Sequence, residues 1–102
     1  MKTDLLPEDS EERKKYPLYS GLFHYFPRTC ALIARVSWDG SKQHHPDKPM
    51  HWDKNKSTDH IDCAFRHAME GEEANDPYLM AQAAWRLMAR TETMLEEQLG
   101  EV

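Results

Sequence analysis

The chain has 102 residues, enough for one domain and too few for two. Its hydrophobic content of 39% is low but sufficient for a small helical core, and a chain this short buries only a modest share of its surface. A formal net charge of −5 argues against general binding to a nucleic-acid backbone, though not against a single nucleotide held through a metal ion.

Residues 1–15 are polar, with Pro7 and the run EDSEERKK, and read as a flexible charged arm carrying at most one frayed turn. Residues 16–102 read as a single helical domain. The segment LYSGLFHYF packs six large apolar residues into nine positions and predicts a short helix broken before Pro27. Core or subunit interface is its expected use, and His24 is expected to be partly buried.

Pro27 suits the first position of a second helix, PRTCALIARVSWDG, with Gly40 as C-cap. That helix is apolar on nearly all sides, which places it inside a bundle or at an oligomer interface. SKQHHPDKPM follows, and Pro46 and Pro49 make it a loop able to carry residues over the mouth of a site. The spacing of His44, His45 and His51 matches no closed structural zinc site.

The stretch from His51 to Asp76 holds three of the six histidines and is the centre of the functional reading. Ser57 or Thr58 is the expected N-cap of a third helix. Ile61, Ala64, Phe65, Ala68 and Met69 share its apolar face, expected to point to the core. Asp59, His60, Asp62, Cys63, Arg66, His67 and Glu70 share the other. That face reads equally as a solvated surface with an Asp62–Arg66 pair, or as a site for metal, phosphate and proton chemistry. Trp52, Lys54 and Lys56 just before it could offer a stacking ring and phosphate contacts.

GEEAND reads as a tight acidic turn. Asp76 as N-cap and Pro77 at the first position then start a last helix to about Gln98. Its stripe of Met80, Ala81, Ala83, Ala84, Leu87, Met88, Met94 and Leu95 reads as core packing, with Trp85 at the edge. Cys30 and Cys63 give no framework and are expected as free thiols in a reducing cytosol. MKTDLLPEDSEERKK has no apolar signal region and no run is long enough to span a bilayer, so the expected location is cytoplasmic. The predicted architecture is all-α, a small bundle of two to three principal helices with a long Pro/His-rich loop.

The segments Tyr16-Pro17-Leu18-Tyr19-Ser20-Gly21-Leu22, Tyr25-Phe26-Pro27, His44, Pro46, Pro49, His51-Trp52, Lys56-Ser57-Thr58-Asp59, Asp62-Cys63, Arg66-His67 and Ala84-Trp85-Arg86 carry a resemblance. In order and spacing they resemble the dATP/dGTP diphosphohydrolase N-terminal-type domain, found as small proteins in phages and bacteria. The resemblance implies hydrolysis of a deoxynucleoside triphosphate, with purines favoured, to monophosphate and pyrophosphate, in the host cytoplasm if the chain is phage-encoded. It also suggests kinship with all-α MazG-like pyrophosphohydrolases, which use carboxylate-bound Mg²⁺ and work as oligomers.

On that reading Mg²⁺ or Mn²⁺ is held by Asp59, Asp62 and Glu70, and His67 and Asp62 are catalytic. Trp52, Lys54, Lys56 and Arg66 bind substrate. The expected partners are the nucleotide and a second copy of the chain, with no nucleic-acid polymer and no membrane. The Glu-Glu-x-x-Glu helix of the MazG-like enzymes is absent. Lys42, where relatives often carry an acidic residue, and Leu79, near which they often carry a histidine, favour an alternative. That alternative is a non-catalytic nucleotide-binding or protein-interaction module on the same scaffold.

Overall fold

The computed structural model describes residues 5–100. Five helical segments follow one another: α1 (Ser10–Arg13), a π-helical turn (Tyr19–Phe23), α2 (Pro27–His44), α3 (His60–Ala74) and α4 (Pro77–Gln98). No strand occurs among the described residues, so the protein is all-α with three principal helices. None of the described helices is long and apolar enough to cross a membrane. Two compact units divide between Cys30 and Ala31.

In the first unit, part of the expected arm is a single turn, α1, capped by Asp9, whose carboxylate accepts from the Glu12 N–H at 3.0 Å. Residues 1–4 of that arm lie outside the described residues. The aromatic segment closes a π-turn, with His24 N–H donating to the Tyr19 carbonyl at 2.7 Å. Gly21 is required there, because a Cβ would meet Pro17 Cγ at 2.9 Å. His24 is exposed rather than partly buried, and its ring lies beside Tyr19.

In the second unit α3 and α4 pack on one another as an antiparallel hairpin. Asp76 caps α4 as its sequence requires, accepting from the Tyr78 N–H at 2.9 Å, and the helix runs from Pro77 to Gln98. The expected acidic turn is shorter than predicted. Gly71 to Ala74 continue α3, and the chain reverses at Asn75, left-handed at φ 52°, with Asp76 N–H reaching back to the Gly71 carbonyl.

The apolar side chains that this unit buries are small. Ala64, Ala81, Ala83 and Ala89 are buried with Cys63, and among the described residues no large side chain is fully enclosed. Gly71 sets the approach, since a Cβ there would lie 3.0 Å from the Met80 nitrogen and 3.2 Å from Leu79 Cβ.

The orientation of α3 is turned from the one expected, although Ala64 of the expected apolar face is buried and Asp62, Arg66 and Glu70 of the other face stay exposed. His60 and Cys63 are buried and His67 half-buried, whereas Ile61, Phe65 and Met69 are exposed, Phe65 by 64% and Met69 by 71%. The stripe expected as the core of α4 behaves likewise: Ala81 and Ala83 are buried, but Met80, Leu87, Met88 and Met94 are exposed. A seam set by alanine and glycine has no room for such side chains.

Helix α2 does not stop at Gly40. It continues to His44, because the residue that forbids further helix is Pro46, which disfavours helical geometry at His45. The added turn buries Ser41, whose hydroxyl accepts from the His51 N–H at 3.2 Å. It also carries Lys42, whose ammonium donates to the Lys48 carbonyl at 3.0 Å. The Pro/His-rich loop is thereby tied to the end of α2.

Candidate functional site

Long polar side chains, not close helix contact, join the C-terminal half of α2 to α4. Tyr78 donates its hydroxyl to the Asp39 carboxylate at 2.6 Å, and Trp85 Nε1–H donates to Ser37 Oγ at 2.7 Å. Arg35 pairs with the same carboxylate at 2.8 Å. The hydrogen bonds from Arg35 and then Tyr78 hold Asp39 below the usual carboxyl range, and the bond to Asp39 raises the Tyr78 hydroxyl.

These bridges leave an open cleft of about 680 Å³ between the end of α2, the loop from 45 to 59, and one side of the α3–α4 hairpin. His60 and His67 of α3 and Gln82, Trp85 and Arg86 of α4 line it. Trp52, at the edge of the loop, meets Trp85 edge-on with ring centres 5.5 Å apart.

His60 starts α3 and is buried within this cleft. Its Nδ1 lies 3.3 Å from an Arg86 nitrogen. A guanidinium can only donate, so Nδ1 accepts and the ring hydrogen sits on Nε2. Nε2 is buried and has no partner, as is Nδ1 of His67. Burial first, then the charge of Arg86, push the His60 pKa down, which agrees with a neutral ring. His60 therefore leaves a buried N–H donor without an acceptor, on the side of its ring away from Arg86.

The expected N-cap hydroxyls at Ser57 and Thr58 are not used. Asp59 holds the cap position without a side-chain cap bond, and its carboxylate instead accepts from the Cys63 thiol at 3.4 Å. Cys63 and Cys30 are both free.

Of the residues expected in the site, Trp52, Lys56, Asp59 and His67 line the cleft. Asp62, Arg66, Glu70 and Lys54 do not. Asp62 and Glu70 are exposed, and Arg66 donates to Cys63 Sγ at 3.5 Å. Lys54 pairs with Glu96 at 2.7 Å, tying the loop to the far end of α4. Asp59, Asp62 and Glu70 are not brought together, since eight residues of helix separate Asp62 and Glu70 by about 12 Å along the axis.

Sequence reading put His60 on the candidate face of α3 without giving it a role, named Arg86 only within the resemblance, and missed Tyr78 and the grouping of His45 and His51 with Asp53. His45 Nε2 lies 2.9 Å and His51 Nε2 3.4 Å from the two oxygens of Asp53. Spacing alone gives no sign of this trio, because Pro46 and Pro49 fold the loop back on itself.

Comparison with known proteins leaves the geometry to speak alone: no family model, no curated protein and no solved structure matches the chain.

Proposed function

We propose that the cleft binds a deoxynucleoside triphosphate and hydrolyses it to the monophosphate and pyrophosphate, with Mg²⁺ or Mn²⁺. The observation that carries the reading is the Arg86 guanidinium in the cleft wall, next to His60, a donor group suited to phosphate oxygens. Lys56 on the rim adds positive charge, and the Trp52 indole offers a face for the base. Asp59 presents a carboxylate in the same cleft, and Mg²⁺ commonly needs one or two protein carboxylates when substrate phosphates supply the rest. When bound, the ion would offset charge on the phosphates.

The reaction is attack of water on the α-phosphorus, with the bond to the β-phosphate oxygen breaking and pyrophosphate leaving. His67, half-buried in the cleft wall, is the candidate to take the proton from that water. Incubating the protein with each dNTP and Mg²⁺ or Mn²⁺, and measuring pyrophosphate, tests this. Release above blank supports it, and no release from any dNTP with either metal excludes hydrolysis.

A second reading, a nucleotide-binding or protein-interaction module without turnover, is favoured by Lys42. Its ammonium sits 4.7 Å over the Trp38 ring and holds the Lys48 carbonyl, so the position serves the loop. Calorimetric binding of dNTP without pyrophosphate release would select it.

We also propose that the chain works as a homo-oligomer, most simply a dimer. On α4, Met80, Leu87 and Met94 lie roughly 120–180° round from the cleft residues Gln82 and Trp85. On α3, Ile61, Phe65 and Met69 lie roughly 100–180° round from His60 and His67. Both stripes therefore face away from the cleft, and a second copy is the partner this reading assigns to that exposed face.

A further inference from the structure

We propose that His45, His51 and Asp53 form a binding site for a divalent transition-metal ion of the zinc and cobalt class, at the rim of the cleft and separate from any Mg²⁺ carried by the nucleotide.

The three side chains offer two imidazole nitrogens and a carboxylate oxygen, all within 4.8 Å of one another. Ligand atoms about 2.0–2.1 Å from a tetrahedral ion stand roughly 3.3 Å apart, and the His45 and His51 nitrogens lie 2.9 and 3.4 Å from one and the other oxygen of the Asp53 carboxylate.

The tautomers sharpen the argument. His51 Nδ1 lies 3.1 Å from the Pro49 carbonyl, which can only accept, so Nδ1 carries the hydrogen. Nε2 of His51 is thereby the nitrogen presented to Asp53, 3.4 Å from one of its oxygens, where a proton or a metal ion can lie between the two. A carbonyl that fixes Nδ1–H while Nε2 is presented is the usual support behind a metal-bound histidine. For His45 to ligate through Nε2, its hydrogen there must move to Nδ1 or leave.

The backbone is braced at both ends. His51 N–H is anchored on buried Ser41, and the intervening loop hangs from Lys42 through the Lys48 carbonyl. The His45 and His51 rings lie 4.3 Å apart, centre to centre. A set of two nitrogens and one oxygen prefers zinc, cobalt or nickel to the hard ions Mg²⁺ and Ca²⁺. Three protein ligands leave at least one position for water or a substrate oxygen.

The test is a Co²⁺ titration of the full chain after chelator treatment, followed by visible absorption, with no nucleotide present. The expected result is one Co²⁺ per chain, displaced by Zn²⁺. His51→Ala and Asp53→Asn should each weaken binding at least about 100-fold, since loss of a ligand exceeds the 10–100-fold effect of losing a ligand's support. His44→Ala, next in sequence but outside the trio, should bind as the parent does. No saturable Co²⁺ binding, or binding unchanged in both His51→Ala and Asp53→Asn, overturns the site. An equal loss in His44→Ala overturns the choice of residues. Because nucleotide is absent, failure here is distinct from failure of the pyrophosphate assay.

Discussion

Gly71→Ala sets two well-measured effects against each other. Alanine in a helix interior is favoured over glycine by about 1 kcal/mol, so helix propensity alone forecasts a more stable protein. The added methyl, however, would stand 3.0 Å from the Met80 nitrogen and 3.2 Å from both Leu79 Cβ and Met80 Cγ. Met80 Cγ can rotate away. The Met80 nitrogen cannot, because it lies in the first turn of α4 and its N–H is bonded to the Asp76 carbonyl at 3.2 Å. The helices must therefore part, at the roughly 1–3 kcal/mol typical of an overpacked contact.

The expected net effect is destabilisation by about 1 kcal/mol, a fall in Tm of roughly 4–8 °C for a domain of this size. Gly40→Ala is the matched control, since it is also inside a helix and its Cβ would meet nothing within 4 Å. It should gain up to about 1 kcal/mol. Both are read from urea unfolding at one protein concentration, with m-values checked for equality. If Gly71→Ala proves as stabilising as Gly40→Ala, the close approach of α3 to α4 is refuted.

Turnover should fall in His67→Ala, whose ring lines the cleft, and persist in Asp62→Asn, whose side chain lies outside it; steady-state pyrophosphate release compares them. Phe65→Asp should convert an oligomer to monomer by light scattering with helical circular dichroism unchanged, and unaltered mass would remove the α3 stripe from the interface. His60 supplies a pH dependence. Its folded pKa lies below the ordinary 6.5, so the unfolded chain takes up the proton first. Stability should be full above that value and decline as pH falls below it, until His60 protonates in the folded state. The facing charges are Arg86 and Arg90, which oppose protonation, and Asp59, which favours it. Urea midpoints between pH 5 and 8 should show the decline in the parent and a flatter profile in His60→Gln. Asp39 acts in a lower window, its contribution present above 3.8 and lost as pH falls through its depressed folded value.

The sequence announced the start of α4, because Asp76-Pro77 is a cap and first turn with no competing reading, and its expected end near Gln98 agrees with the structure. It misplaced the end of α2, since Gly40 resembles a C-cap while the true stop, Pro46, acts on its predecessor. The apolar period of α3 was legible, but a period does not say which side the partner helix takes. Gly71 and the alanines of α4 decide that, and small residues carry almost no weight in a hydrophobic pattern. The cleft was half legible. Trp52, Lys56, Asp59 and His67 were expected in it, whereas Arg86 and Tyr78 enter from α4, whose apolar stripe drew attention away from its polar side.

The bond from the Cys63 thiol to Asp59 gives the protein a built-in clock. Cys63 is 4% exposed under the α3–α4 seam, whereas Cys30 is half-buried. An alkylating reagent in excess can reach Cys30 in the native state, but must wait for the hairpin to part before it reaches Cys63. The lag between the two reactions measures how often Cys63 becomes exposed, and a rate above that of global unfolding reports local opening of the seam. Asp59 also lines the cleft, so a ligand that draws on its carboxylate would register in the Cys63 rate without touching sulfur.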